Sequence, residues 1–477
     1  MIADLKPHAA YKDSGQDLLG SIPAHWGLLR AKRLFHEVDE RSKTGKEELL
    51  SVSHLTGVTP RRLKTVTMFL AESNVGHKVC RPGDLVINTL WAWMAALGVT
   101  RHTGLVSPSY GVYRPIDGGG ILPAYADHLL RTPLYAAEYQ RRSTGVNSSR
   151  LRLYPEQFLR IPVLVPPLDE QAAIVRFLDW ANGRLERTVR AKRKVIALLM
   201  EQQQAVIQRS VTRGLDPEIA LKPSGLQWLG DIPSHWTTVR LKHSISRIEQ
   251  GWSPQCDAQP AGDNEWGVLK VGCVNKDTFR ETQNKRLPAT LQPEPSLQVV
   301  DGDILVSRAN TTELLGLAAL AESPRKKLIL SDKLFRFRAL ADCFHPKYLV
   351  LLLRSSPSRA QIESSTSGAS SSMQNIGQGV LKNLWVAVPS VSEQLEIVLR
   401  IAAATEPLTA AIGRLEREID LLREYRTRLV ADLVTGKFDV REAAARLPEE
   451  TLPDLAEEPG DDGDEESELI DEEVAEA

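Results

Sequence analysis

Two stretches of the chain share one pattern of apolar and polar positions. Leu408, Ile412, Leu415, Ile419, Leu422, Leu429 and Leu433 recur in alternating steps of four and three, with Arg426 filling one slot. Leu185, Val189, Ile196, Leu199 and Val206 hold equivalent slots in an earlier stretch, which Lys192, Gln203 and Ser210 interrupt. A stripe of this spacing marks helices that pack as a coiled-coil pair. The earlier run, Asp169 to Thr212, has no proline and one glycine. At about 1.5 Å per residue it makes a helix roughly 60 Å long. The later run, Ser392 to Thr435, repeats it: Gln171–Thr212 aligns with Gln394–Thr435 at a constant offset of 223. Pro407 stands where the first run has Arg184. It predicts a kink or break, with a short helix from about Ser392 to Thr405 ahead of it.

The repeat extends beyond the helices. S-G-Q-D-L-L-G-S-I-P-A-H-W (Ser14–Trp26) returns as S-G-L-Q-W-L-G-D-I-P-S-H-W (Ser224–Trp236) at an offset of 210. P-G-D-L-V-I (Pro82–Ile87) is answered by D-G-D-I-L-V (Asp301–Val306) at 219. The offset thus grows to 223, and the second copy's thirteen extra residues lie between Trp236 and Tyr348. Short apolar runs bounded by Gly, Pro and Asp predict strands at Asp84–Asn88, Leu105–Tyr113, Gly267–Val271, Asp303–Ser307 and Leu334–Arg338. Helices are expected over Pro123–Arg131 and Pro346–Arg354. Each half is a mixed α+β domain followed by a long helix, and the repeat places the two helices antiparallel about an approximate internal dyad. The I-P-x-H-W element reads as a turn entering a strand. His25 and His235 have no second His, Cys or acid at ligand spacing, so a packed structural role is expected for them.

Composition narrows the function. The 477 residues are 42% hydrophobic and 25% charged, with no run of about eighteen apolar residues and no apolar signal region near the N-terminus. Four scattered cysteines fit a reducing cytoplasm. The net charge of −2 hides an asymmetry: Asp454–Ala477 holds 13 Asp and Glu and no Lys or Arg, and without them the remainder carries +11. A basic body suits a polyanionic partner. Motifs for a P-loop, a G-x-S-x-G nucleophile, an H-E-x-x-H zinc site, a kinase, a dinucleotide fold or an amino-methyltransferase are missing, so neither catalytic nor metal-binding residues are assigned. Each domain carries a polar loop at one register, Arg141–Arg150 and Ser365–Asn375, with Gly145 matching Gly368 and Ser148-Ser149 matching Ser371-Ser372. Gly permits close backbone approach, Ser and Asn donate to phosphates, and Arg, Asn and Gln pair with base edges.

Together these marks resemble the specificity (S) subunits of type I restriction-modification systems. They are G-x-I-P-x-H-W twice, G-D-L-V and G-D-I-L-V, and L-W-A-W…G-L-V-S-P-S-Y (Leu90–Tyr110). The helix openings P-P-L-D-E-Q and P-S-V-S-E-Q and the endings S-V-T-R-G and L-V-T-G-K complete the set, over about Tyr11 to Val440. The resemblance implies an α+β fold of two target recognition domains joined by two long antiparallel coiled-coil helices. Residues 1–166 are then frame and first recognition domain, 167–214 the first spacer helix, and 215–389 the repeated frame and second recognition domain. Residues 390–440 are the second spacer helix and 441–477 an acidic disordered tail. It further implies that each domain reads one half of a bipartite asymmetric site in double-stranded DNA, while the helices set the gap and dock two methyltransferase (M) subunits. S-adenosylmethionine, ATP and Mg are used by those and by the restriction/translocase (R) subunits; this chain binds none of them and catalyses nothing.

DNA contacts are expected from Arg61, Arg62, Lys64, Arg101, Ser143, Asn147, Ser148 and Arg150 in the first domain. In the second they are expected from Lys270, Asn275, Lys276, Arg308, Asn310, Ser371, Gln374 and Asn375. A coiled-coil scaffold without DNA specificity is the rival reading, and sequence-independent, salt-insensitive behaviour towards DNA would favour it.

Overall fold

A computed structural model of the chain describes residues 5–64, 73–145, 151–275, 278–366 and 374–448. It divides into two compact units, Met1–Arg193 with Glu416–Ala477, and Lys194–Leu415.

In the first unit the G-D-L-V run becomes a central strand, Leu85–Ile87, whose three residues are all buried. It lies in an antiparallel four-stranded sheet ordered Phe35–Glu37, Gly111–Pro115, Leu85–Ile87, Leu97–Val99. The aspartate of the motif ties this sheet together: buried Asp84 accepts two hydrogen bonds from the Arg114 guanidinium, at 2.8 and 2.9 Å. That pairing keeps Arg114 charged more firmly than usual. The stretch expected as one strand, Leu105–Tyr113, is two, Gly104–Val106 and Gly111–Pro115. Ser107 to Tyr110 form a turn between them, closed by Tyr110 N–H on the Ser107 carbonyl, and the strands pair with different partners. Helices α1 (Pro123–Leu130), α2 (Pro133–Arg142) and α3 (Pro155–Phe158) each start on a proline, which needs no donor in the first turn. The chain returns through Pro162–Val165, paired with Gly27–Arg30, and enters α4 (Leu168–Arg213).

The second unit repeats this plan. Its four-stranded sheet is ordered Glu249–Gln250, Leu334–Phe337, Ile304–Ser307, Ala318–Leu320, and buried Asp303 holds Arg338 at 2.8 Å. Its interior differs in a three-stranded sheet of Asn284–Arg286, Gly267–Leu269 and Leu328–Ile329. Helices α5 (Pro346–Leu353), α6 (Ser356–Glu363) and α7 (Gln378–Asn383) lead through Trp385–Val388 into α8 (Val391–Val434). Ser390 caps that helix, its hydroxyl accepting the Glu393 N–H at 3.3 Å.

The paired motifs act as clasps. In the first unit Glu170 Oε1 accepts Trp26 Nε1 at 3.1 Å, and Oε2 meets His25 Nε2 at 2.8 Å. In the second, Glu393 holds Trp236 at 3.0 Å and His235 at 2.9 Å. The next residue fixes the loop before the domain's first helix. Gln171 bonds Leu122 N–H and the carbonyls of Gly120 and Pro166; Gln394 bonds His345 N–H and the carbonyls of Cys343 and Pro389. The tryptophans are the packed members, fully buried, whereas the histidine side chains are 39% and 47% exposed. The packed role expected of His25 and His235 therefore falls to their neighbours, and each histidine is a surface hydrogen-bond partner of the clasp.

Both long helices match their expected spans within a residue or two. The apolar slots from Leu185 to Val206 and Leu408 to Leu433 are buried or partly buried, with Leu429 and Leu433 fully so. Three of the four polar slots pair across the helices. In the first unit Lys192 meets Glu418, and Arg426 meets Glu186 at 2.7 Å. In the second, Gln203 donates to the Thr409 hydroxyl at 3.1 Å. These contacts run antiparallel within each unit. Polar partners at such slots set register. The break expected at Pro407 is absent: α8 stays helical through it. Proline removes one donor to the preceding turn, and the helix continues through it at an exposed position.

Each helix ends against the frame of the other repeat. Buried Tyr125 of α1 donates to the Val434 carbonyl at 3.1 Å, and Tyr348 of α5 to that of Val211 at 3.3 Å. Gly436 (φ +78°) and Gly214 (φ +75°) then turn the chain over Trp26 and Trp236. A Cβ on Gly436 would lie 2.5 Å from Pro23 Cδ, whereas one on Gly214 meets nothing nearer than 3.5 Å. Beyond Gly436, Asp439 pairs with Lys6, and the Tyr11 hydroxyl donates to the Lys437 carbonyl at 3.0 Å. Arg441–Ala445 form α9, with Ala444 buried in the first unit's core. The packed body thus runs past the boundary drawn at residue 440, because the apolar face of this alanine-rich turn precedes the acidic run. The acidic segment Asp454–Ala477 lies outside the described residues. All four cysteines are free thiols, and burial pushes those of Cys80 and Cys273 up to about 12. No helix of the described residues is long and apolar enough to cross a membrane.

Two substitutions test this arrangement by thermal melting of the full chain. Gly436→Ala is expected to cost about 2 kcal/mol or more, from positive φ plus the clash, and Gly214→Ala about 1 kcal/mol. Equal losses would contradict the tighter seat on Trp26. Pro407→Ala is expected to stabilise by about 1–3 kcal/mol, since it restores one hydrogen bond in a continuous helix. A lower melting temperature would mean the proline shape is needed.

Candidate nucleic-acid interface

The second unit gathers most of its expected DNA contacts at one place. The strand Ile304–Ser307 ends at buried Ser307, whose hydroxyl donates to the Leu314 carbonyl at 2.6 Å and accepts the Leu317 N–H at 3.1 Å. That anchor turns Arg308, Ala309 and Asn310 away from the sheet. Ala309–Asn310 then pairs antiparallel with Gln374–Asn375, and Ile376 N–H bonds the Arg308 carbonyl at 3.0 Å. Asn310 Nδ2 donates to Asn275 Oδ1 at 3.3 Å, which brings in the end of the 3-10 turn Val271–Val274. Lys270 opens that turn, its carbonyl accepting Cys273 N–H.

Six candidates thus converge: Lys270, Asn275, Arg308, Asn310, Gln374 and Asn375, all partly exposed. The Arg308 guanidinium is steadied from behind. It lies 5.9 Å from the Phe335 ring centre and donates to the Asp332 carbonyl at 3.2 Å. A stacked, half-bonded guanidinium keeps donors for a planar acceptor such as a phosphate or a guanine edge. Lys276 and Ser371 lie outside the described residues.

The first unit shares one backbone bond of this ladder. Leu153 N–H bonds the Thr89 carbonyl at 2.9 Å, where the second unit has Ile376 and Arg308. Thr144 and Arg152 exchange backbone hydrogen bonds at 3.0 and 2.9 Å. At the offset of 219 that this bond keeps, Trp91 aligns with Asn310 and Trp93 with Thr312, although Trp91 lies in a turn, its N–H on the Asn88 carbonyl at 3.1 Å, and not in a paired strand. The two indoles are stacked, centres 6.1 Å apart, and both are partly exposed. The 3-10 turn Ala92–Met94 sets them against α2, and Ala95 at φ +60° reverses the chain. Arg152 lies over the exposed Tyr154 ring at 5.5 Å. An aromatic and cationic face of this kind offers stacking and charge where its counterpart offers amides.

The first-domain candidates are spread more widely. Ser143 ends α2, its hydroxyl bonded to the Tyr139 carbonyl at 2.7 Å, next to the Thr144–Arg152 bridge. Asn147, Ser148 and Arg150 lie outside the described residues. Arg61 and Arg62 form the turn after Gly57–Pro60, with Lys64 at its end, and Arg62 is paired with Glu48 at 2.7 Å. Arg101 is exposed beyond Leu97–Val99. Trp91, Trp93, Arg152 and Tyr154 are not among the expected contacts, because the polar-loop register alone does not show which segment lies beside the loop. The 219 offset of the G-D motif, carried four residues further, would have set Trp91 against Asn310.

No family model matches the chain. The specificity subunit of the type I restriction enzyme EcoEI from Escherichia coli is 37% identical over 172 residues, 36% of this chain and 29% of that relative. That match spans less than a third of the relative. The EcoKI specificity subunit of Escherichia coli K12 is 24% identical over 387 residues, 79% of this chain and 78% of that one. Among solved structures, a chain from work on complex assembly and conformational transition of a type I restriction-modification system aligns over 87% of this chain and 98% of its own, with a TM-score of 0.57 at 15% identity. By its sequence relatives the chain is similar to the specificity subunits of type I restriction enzymes, and in fold to a chain of a type I restriction-modification system.

Proposed function

We propose that the chain is the DNA-specificity subunit of a type I restriction-modification complex. The observation that carries this reading is the cluster of Arg308, Asn310, Gln374 and Asn375 on one strand pair of the second unit, with Trp91, Trp93, Arg152 and Tyr154 near the matching backbone bond, Leu153 N–H to the Thr89 carbonyl, in the first. A common support with unlike side chains suits two half-sites of different sequence. Arginine and amide side chains pair with base edges, and lysines with phosphates. The long helices act as the spacer between half-sites and as the dock for two methyltransferase subunits.

In this reading the chain itself catalyses nothing. Methyl transfer from S-adenosylmethionine to an adenine in each half-site belongs to the methyltransferase subunits. ATP and Mg²⁺ belong to the restriction/translocase subunits, and the assembly works on double-stranded DNA in the cytoplasm.

Exchange of residues 27–166 for the equivalent part of a relative is expected to change one half-site and leave the other and the gap intact. Sequencing of adenine methylation in cells carrying the chain with its partner subunits reads all three together. Change in both half-sites, or in neither, would refute one domain per half-site. Within the second unit, Arg308→Ala and Asn310→Ala are each expected to weaken binding by about 1–3 kcal/mol and to relax only the half-site read by that unit. Binding that ignores both substitutions, DNA sequence and salt alike would instead point to a scaffold.

A further inference from the structure

His8 is an anomaly in the first frame. Its ring is 1% exposed, and neither ring nitrogen makes a hydrogen bond. Burial pushes the imidazole below its ordinary pKa, towards the neutral form. Nε2 points at Glu170 Oε1, 3.6 Å away, and Nδ1 faces Asp439 Oδ2 at 4.0 Å. One ligand atom from each of His8, His25 and Glu170 lies within 4.8 Å of the other two.

The second frame shows what the clasp alone requires. His235, Trp236 and Glu393 make the same hydrogen bonds with no third ring. The residue matching His8 there is Glu218, which is exposed. A buried imidazole with both nitrogens unbonded is therefore not part of closing the frame.

We propose that His8, His25 and Glu170 bind one divalent transition-metal ion of the zinc class. Two imidazole nitrogens and one carboxylate oxygen form a donor set that suits Zn²⁺ and, less selectively, Co²⁺ or Ni²⁺. Ligand atoms about 2.0–2.1 Å from a tetrahedral ion stand roughly 3.3 Å apart. The present separations are 2.8 Å from His25 Nε2 to Glu170 Oε2 and 3.6 Å from His8 Nε2 to Glu170 Oε1, so the two imidazoles face different oxygens of one carboxylate, and a small turn of His8 brings one oxygen within reach of both. The ion replaces the proton shared by His25 Nε2 and Glu170 Oε2. Trp26 Nε1 already holds the Glu170 carboxylate, and Asp439 Oδ2, 4.0 Å from the far nitrogen of His8, is near enough to accept from it once the ring is drawn to the ion. A carboxylate behind a ligating histidine fixes its tautomer and raises its basicity. Entry is from the exposed side of His25, where water supplies the fourth ligand. The ion joins the N-terminal segment, the first frame, the start of α4 and the segment after α8.

The test uses the full-length, untagged chain, stripped with a chelator and titrated with Zn²⁺ by calorimetry. One equivalent is expected to bind, and His8→Gln is expected to weaken that site at least 100-fold. Asp439→Asn, which alters only the outer contact, is expected to weaken it about 10-fold. Added Zn²⁺ raises the melting temperature of the unaltered protein and not that of His8→Gln. Should His8→Gln fail to fold, Co²⁺ titration of the unaltered chain decides: an intense visible band of tetrahedral cobalt supports the site, and the pale spectrum of hydrated ion overturns it. Absence of a stoichiometric site, or one equally tight in His8→Gln, also overturns it.

Discussion

The fold depends on a carboxylate held at the first turn of each long helix. Glu170 is almost fully buried, so its charge is affordable only because Trp26, His25 and the surrounding frame satisfy it. Removing a partner would leave a buried carboxylate short of hydrogen bonds, which costs far more than the bond's net worth. The constraint acts on direction as well as energy. Glu170 and Gln171 are consecutive on α4, and they grip two different parts of the domain, the frame tryptophan and the loop before α1. A helix held by two neighbouring residues on two supports leaves its domain at a set angle. Glu393 and Gln394 repeat the grip in the second unit.

Much of this was legible because the chain says it twice. The long helices, the strands around the two G-D motifs and the proline-started helices all follow from periodicity and internal alignment. Side-chain partners were less accessible. Nothing in the local pattern links Asp84 to Arg114 or Glu170 to Trp26, since strand pairing and packing bring them together across 30 and 144 residues. The same limit hid the His8 cluster: ligand spacing in sequence finds sites built on one element, and this one spans three segments. Pro407 shows the opposite error: the break expected from a local rule does not occur, because one lost donor at an exposed position does not end a 44-residue helix.

The polar slots of the helix pair carry a related lesson. Lys192 and Gln203 look like defects in an apolar stripe, yet each meets a partner on the other helix. Such pairs add little to stability when exposed. Their effect is to penalise a shifted register, in which a charged or amide group would face an apolar slot. The segments after the two G-D strands divide labour the same way. One backbone bond recurs in both units, Ile376 to Arg308 and Leu153 to Thr89, while the side chains beside it, Asn310 in one and Trp91 in the other, differ.

The crossing of helix ends has a topological result. Because α8 finishes against the first frame and its following strand residue Asp439 pairs with Lys6, the path of the chain comes back to its starting point. Within the first unit the residues after α8 thus close on the N-terminal segment and the first frame. The end of α8 and the segment around Lys6 are fastened to each other, so a change at either is felt at the other.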